Sequence, residues 1–466
     1  MIFQLDQKNQ SSIALIDADQ MRQISYGELV DRVSRSAAFL SDQHASLVVL
    51  AASNSVDSIV AYLSCLEAGI TVALVEAKEN VVAAAILSAY QPTLVLGENL
   101  SVGVDCVPIK ALPDSQCMAF GYLHSSTSPV HKSLALMLPT SGSTGSPKFV
   151  RLSKTNLESN AASIAEYLAL GVDERAMQSL PAHYSYGLSV LNSHLIVGAC
   201  IVLTSHSFLR GPFWEAFRKW QCTSFAGVPF MYETLARLRF QPSKYESLRY
   251  MTQAGGRLNP DVVSLFEERC RHSQRRFFVM YGQTEATARI SYVPSERLQE
   301  KCGSVGIAIP GGDIHLQEVE GHSELTEIVY EGPNVMLGYA ESRECLAKGD
   351  EMHGILPTGD LGRIDEDGFV YIVGRLKRFA KLYGSRVSLD DIEAFLESQF
   401  AISVVAKEMD AKLRVFYASS GDTDDGVIRS TIARYLTVPL DTFVMKKLDA
   451  IPVTSSGKKD YQSRLL

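Results

Sequence analysis

Along the first 130 residues, short apolar runs of β character alternate with stretches whose apolar positions recur at helical spacing. The pattern predicts a strand at 47–51, a helix at 56–68, a strand at 70–75, a helix at 81–90 and a strand at 93–96. Strand–helix–strand alternation of this kind builds a parallel sheet covered by helices. A Ser-rich stretch at 123–133 interrupts the series. Beyond it, a second series predicts a helix at 157–168, a strand at 199–204, a helix at 213–220 and strands at 223–226 and 277–280. From Cys302 to Val373 the apolar runs shorten and are punctuated by Gly311, Gly312, Gly321, Gly332, Gly338, Gly362 and Gly368, which predicts a small β-barrel or meander. The last block predicts a helix at 389–399, strands at 402–406 and 413–418 and a helix near 427–435. The expected fold is α/β: a body over 1–375, made of two parallel-sheet subdomains and a β-rich piece at about 302–373, then a small α+β domain over 376–466.

Composition adds limits rather than chemistry. At about 150 residues per domain, the 466 residues allow about three units. Apolar residues at 46% and charged ones at 21% are those of a folded globular chain. The net charge of −8 argues against a generally basic surface for nucleic acid or acidic membranes. An anionic ligand must therefore be held by a local site. Residues 377–466 hold 14 Lys plus Arg against 12 Asp plus Glu, or +2, so the rest of the chain carries −10. A basic lobe closing over phosphates and chance surface charge both fit these counts. The eight cysteines form no C-x-x-C pair, no basic-then-apolar leader opens the chain, and no apolar run reaches the ~18 residues of a membrane span. The expected address is the cytoplasm.

The richest local signal is Leu138 to Lys148. Thr140, Ser141, Gly142, Ser143, Thr144 and Gly145 offer backbone N–H groups and hydroxyls to phosphate oxygens, and Lys148 adds a charge. It is not a Walker A loop, because Lys148 lies three residues beyond Gly145. Alone, it reads equally as a Ser/Gly linker. Further on, the run 277–280 delivers Tyr281, Gly282, Gln283, Thr284 and Glu285 to a strand's carboxyl end, where open parallel sheets place ligands. Tyr281 can stack on a base, Thr284 can donate to phosphate, and Glu285 is a hard oxygen ligand for Mg2+. Asp360 can accept from two ribose hydroxyls, and Arg375 can reach ribose or phosphate. Each is also compatible with a plain turn residue.

Taken in order, these segments resemble the adenylate-forming superfamily of acyl-CoA synthetases, aryl-CoA ligases, adenylation domains and beetle luciferases. The family's phosphate loop is similar to Thr140–Lys148, its adenine-pocket glycines to Gly255 and Gly256, and its Y-G-x-T-E segment to Tyr281–Glu285. Its T-G-D corresponds to Thr358-Gly-Asp360, its hinge to Gly374-Arg-Leu-Lys377, and its terminal G-K to Gly457-Lys458. The resemblance implies ATP-dependent activation of a small carboxylic acid as acyl-AMP, with Mg2+ at Glu285. Transfer to coenzyme A or to the phosphopantetheine of a separate acyl carrier protein would follow. It makes the last domain a mobile lid turning about Lys377. Lys458 serves the first step and the stretch from Lys381 to Gly384 the second. A lysine ~4 Å from the reacting phosphate would contribute ~4 kcal/mol at an effective dielectric of ~20. By composition alone the terminal stretch is a frayed tail, and adjacent Lys459 is distinguished only by the family spacing.

For the acid, the resemblance points to Pro181–Ser189. Amino-acid-activating relatives tend to carry Asp where this chain has Gly187, so an amino acid, the alternative substrate, is disfavoured. His183 is expected along the thiol path, and Tyr184, Tyr186, Phe225, Gly227, Val228 and Met251 are candidate apolar walls, or equally ordinary core. A nucleotide-binding scaffold without turnover predicts loss of Lys458, Glu285 or Arg375, and all three are present. No residue points to luciferase-like oxygen chemistry.

Overall fold

The computed structural model describes the chain except residues 77–80, 140–147, 321, 377, 383–384, 401, 410–411, 420, 422–423, 454–458, 462 and 464. It divides into two compact units. The first comprises 1–302, 306–313 and 330–356, and the second 303–305, 314–329 and 357–466.

Two sheets organise the first unit. In the eight-stranded sheet, Leu47–Ala51 lies between Thr71–Val75 and Leu94–Gly97, all parallel, and Leu136–Pro139 extends the parallel set. These strands are apolar at nearly every position because both faces are covered, as the continuous runs required. The strands Met118–Tyr122 and Cys106–Ala111, not expected from the pattern, close one edge antiparallel. Stretch 123–133 is irregular, as expected.

The nine-stranded sheet has a parallel centre: Cys200–Leu203, Arg175–Met177, Ser224–Gly227, Tyr250–Gln253 and Arg276–Tyr281. The strand Ile13–Asp17 joins it in parallel beside Cys200–Leu203, a pairing that no local pattern announces. Its two faces differ. Phe225, Met251 and Phe277 share one register row, and Phe225 and Phe277 pack with Tyr232 in an aromatic core that also holds Trp214 and Phe266. On the other face, Thr252 meets Tyr186, and Tyr250 meets His194, both from the helix Ser185–Val197. That helix packs against Lys154–Leu168, whose start is a capping box between Ser153 and Asn156.

The second unit holds most of the β-rich stretch as a four-stranded sheet in the order Asp313–Val319, His322–Glu331, Ile355–Ile364, Val370–Arg375. Its C-terminal part packs Leu389–Gln399 and Asp425–Leu436 on the strands Ile402–Met409, Lys412–Ser419 and Phe443–Leu448. Val404, Leu413, Val415, Ile428 and Ile432 form its fully buried core. The helix at 389–399 has the bounds its pattern predicted.

Candidate active site

The parallel strands of the first unit deliver Gly227, Gln253 and Tyr281 to their carboxyl ends, with Gly255 and Gly256 just beyond. The segment Pro181–Gly187 crosses to the other sheet. The Asn54 Oδ1 accepts from Ala182 N at 3.1 Å, and its Nδ2 donates to the Leu180 carbonyl at 3.2 Å. His183 stands by Ala52 and Glu76, which follow two strands of the eight-stranded sheet. Burial pulls its pKa down, against the pull of Glu76, and its Nδ1 has no hydrogen-bond partner. The carboxyl ends of both sheets thus face one crevice, where α/β proteins bind ligands.

The Tyr281–Glu285 segment turns sharply into that crevice. A Cβ on Gly282 would lie 1.9 Å from the Ala288 carbonyl oxygen, so only glycine allows the chain to double back. Thr284 Oγ1 reaches the Ser185 hydroxyl at 3.3 Å, at the start of the helix Ser185–Val197. Tyr281 accepts at its hydroxyl from the Gln283 amide at 3.1 Å. Glu285 Oε1 accepts from the Tyr339 hydroxyl at 2.9 Å. Lys148 Nζ lies over the same Tyr339 ring, 3.5 Å from its centroid, and 3.8 Å from Glu341. The end of the expected phosphate loop and the expected metal carboxylate are therefore one aromatic ring apart. Burial and the adjacent Glu285 raise the Tyr339 pKa, which keeps the phenol protonated and donating.

The expected acyl walls divide between the two faces of the sheet. Tyr184 caps the helix Ser185–Val197, and its hydroxyl lies 2.5 Å from where a Cβ of Gly255 would be. Tyr186 is fully buried on the same side as Thr252. Phe225 and Met251 point the other way into the aromatic core, and a Cβ on Gly227 would strike Tyr232 and Phe225. Strand period decides this: Thr252, whose register partner is Ala226, meets Tyr186, and the neighbouring row of Phe225 and Met251 points to the other face. At Gly187 a Cβ would lie 2.2 Å from the Pro181 carbonyl oxygen. This position presents no side chain to a ligand, and close backbone packing is sufficient reason for its glycine.

In the second unit, Asp360 is buried and accepts from Arg375 Nε at 3.1 Å. Lys459 is held by Glu393 and Glu397, each at 2.9 Å, and donates to the Val404 carbonyl at 2.6 Å. These carboxylates raise its pKa against the cost of burial. Lys459 is thereby committed to the domain's interior. Thr140, Ser141, Gly142, Ser143, Thr144, Gly145, Lys377, Gly384 and Lys458 lie outside the described residues, and Lys381 is described only as part of the strand Phe379–Leu382.

Comparison with known proteins bears on this geometry. The family model for AMP-binding enzymes matches residues 3–340. The chain belongs to the AMP-binding enzyme family. The oxalate–CoA ligase of Arabidopsis thaliana is 31% identical over 271 residues, 56% of this chain and 52% of that protein. The 2-succinylbenzoate–CoA ligase of Bacillus subtilis is 30% identical over 339 residues, 70% of this chain and 67% of that one. The alignments thus span about half to two thirds of these relatives. The solved o-succinylbenzoate CoA synthetase of Bacillus subtilis, in complex with its acyl-adenylate intermediate, superposes with a TM-score of 0.78 at 21% identity. That superposition covers 100% of this chain and 97% of the other. ATP-bound MatB from Rhodopseudomonas palustris gives 0.79 at 21%, covering 99% and 97%. The fold of this AMP-binding enzyme is the one expected from its motifs.

One buried residue beside Tyr186 escaped sequence reasoning. Arg289 is 3% exposed, and its guanidinium lies 4.1 Å from the centroid of the Tyr186 ring. Its signal was a lone arginine in the otherwise uncharged run from Ala286 to Val293. Tyr339 was likewise unread, because it is far in sequence from the two residues it bridges.

Proposed function

We propose that this AMP-binding enzyme is an acid:thiol ligase acting in two steps. A carboxylate oxygen attacks the α-phosphorus of ATP, the bond to the β-phosphate oxygen breaks, and acyl-AMP and pyrophosphate result. A thiol then loses its proton and attacks the acyl carbon, the bond from that carbon to the bridging oxygen breaks, and AMP leaves carrying that oxygen. The observation that carries this reading is the Lys148–Tyr339–Glu285 group beside Thr284: a cation and a hard oxygen ligand held where a polyphosphate needs both. The names of the aligned relatives, CoA ligases of carboxylic acids, support it.

Glu285 suits magnesium. It gives one oxygen to Tyr339 and keeps the other, and no group of three His, Cys, Asp or Glu gathers elsewhere among the described residues. Magnesium takes few protein carboxylates and completes its shell from phosphate and water. When bound, it would neutralise charge on the phosphates. Within the same reading, the loop 140–148 holds phosphate, Tyr281, Gly255 and Gly256 hold adenine, and Asp360 with Arg375 holds ribose. Lys458 serves acyl-AMP formation and gives way, as a lid of 376–466 turns about Lys377, to Lys381 and Gly384. The commitment of Lys459 to Glu393 and Glu397 supports Lys458 as the mobile cation. Non-amino acids remain the proposed substrates, because the charge acting on Tyr184 and Tyr186 is the cation of Arg289, which repels an ammonium. Coenzyme A or a carrier protein is the thiol, and the cytoplasm the setting. Among the described residues no helix is long and apolar enough to cross a membrane.

The test is ATP–pyrophosphate exchange across a panel of carboxylates, followed by thiol-dependent AMP release with coenzyme A and with holo carrier protein. Lys458→Ala is expected to cut exchange ~1000-fold while preformed acyl-AMP is still consumed at near the normal rate. Equal loss in both assays overturns the two-conformation reading.

A further inference from the structure

Arg289 is a buried cation without a charged partner. Its side chain is packed under the Tyr186 ring, its Nε has no hydrogen-bond acceptor, and among the described residues no carboxylate pairs with it. Its hydrogen bonds as a donor go to neutral oxygens, a 3.3 Å contact from Nη1 to the neighbouring Ala288 carbonyl and one to the Tyr167 hydroxyl. The backbone of Arg289 needs no charge to stay in place, since its carbonyl accepts from Asn334 Nδ2 at 2.9 Å and Asn160 Nδ2 at 3.4 Å. The loop before it is strained at Thr287, a non-glycine residue at φ +63° held by a 2.7 Å bond to the Asn334 carbonyl. A guanidinium taken out of water without a counter-charge is costly, and ring stacking returns only part of that cost. The chain therefore tolerates a cation that its own fold does not neutralise.

Its position indicates what neutralises it. The phenol of Tyr184 feels the Arg289 charge, and the Tyr184 hydroxyl abuts Gly255 at the carboxyl edge of the sheet. Arg289 thus lies against the aromatic pair Tyr184–Tyr186, whose rings are 6.3 Å apart and which are two of the expected acyl walls. We propose that Arg289 binds a second anionic group on the acid, so that the enzyme takes dicarboxylic acids in preference to monocarboxylic ones. The inference rests on the adenylation reading above for the placement of the acid. A planar fork of donors is the group that recognises a carboxylate through two parallel hydrogen bonds. The first carboxylate goes to phosphorus and the second stays ionised against Arg289.

The test compares matched pairs, butyrate with succinate, hexanoate with adipate and 3-phenylpropanoate with its 4-carboxy derivative, in ATP–pyrophosphate exchange. The wild type is expected to favour the dicarboxylate of at least one pair by about 100-fold or more in kcat/KM, because a site built for a polar group rejects the analogue that lacks it. In Arg289→Met that ratio falls toward one, and Arg289→Lys, which keeps the charge and loses the fork, is intermediate. Thermal melting supplies a second readout: succinate, adipate or the aromatic diacid raises the Tm of the wild type and not of Arg289→Met, and the unliganded variant melts no lower than the wild type. Preference for the monocarboxylate in every pair, an equal loss for both members in Arg289→Met, or an unliganded Tm lowered by several degrees overturns the proposal. Exchange with none of the acids, while a diacid still shifts the wild-type Tm alone, defeats the adenylation reading and leaves the anion site standing.

Discussion

Arg151 and Arg289 are both buried almost completely in the first compact unit, and their surroundings are opposite. Arg151, on the strand Phe149–Leu152, donates to the carbonyls of Tyr339 at 3.1 Å, Gly349 at 3.1 Å and Leu337 at 3.2 Å, to that of Lys348, and to the Glu351 carboxylate. Every donor has an acceptor. Arg289 faces the Tyr186 ring, the Tyr167 hydroxyl and one neighbouring carbonyl, none of them charged. The first cation ties the segment 337–351 to the sheet. The second has no such task, and the contrast shows that burial alone does not reveal why a charge is present; the completeness of its partners does.

The largest effect that could break the comparison is on stability. Arg151→Met strands Glu351 and several carbonyls, and is expected to cost about 3–5 kcal/mol, read as the loss of unfolding free energy in urea. The unliganded Arg289→Met should lose none; if both fell equally, the two arginines would be doing the same work. Next comes alkaline titration. Burial pushes the phenols of Tyr167 and Tyr184, both within the field of Arg289, up to about 12. Between pH 10 and 12 the unfolded chain would release these protons and the native one would keep them, so stability falls as pH rises, by about 1.4 kcal/mol per pH unit for each phenol. Phenolate absorbance from either tyrosine near pH 9 in the native protein would mean that Arg289 has a tyrosinate partner, and the contrast with Arg151 would collapse. The smallest change moves the rings without touching a charge. Gly187→Ala forces a methyl group against the Pro181 carbonyl and should cost about 1–3 kcal/mol while disturbing the Tyr184–Tyr186 pair. Its expected mark is a lower diacid preference with Arg289 intact; an unchanged preference and stability would show that the close packing at Gly187 does not set the position of these rings.

Much of the fold was legible because the central strands are buried on both faces, and such strands read as unbroken apolar runs. The helix Ser185–Val197 was not. It is buried on nearly every side, so it carries no amphipathic stripe to read, and Tyr-Ser-Tyr-Gly at its start looks like a loop. The partnership of Ile13–Asp17 with Cys200–Leu203 was equally hidden, because it joins positions almost two hundred residues apart by backbone bonds that any sequence can make. Within the candidate site, Tyr281–Glu285 and Lys148 are candidates by residue type and spacing. Tyr339, which links Lys148 to Glu285, and Arg289 had no motif around them.

The candidate groups that the chain offers were therefore legible in its sequence: a hydroxyl- and glycine-rich loop ending in lysine, and a strand that delivers tyrosine, threonine and glutamate. Which face each side chain takes was decided only in three dimensions. Phe225 and Met251 went to the aromatic core and Thr252 to the opposite face, against the buried Tyr186, because the pleat alternates, and register cannot be read from either strand alone. Lys459 was drawn into its carboxylates and Arg289 was left without one because electrostatic partners depend on distance through space, which spacing along the chain does not encode.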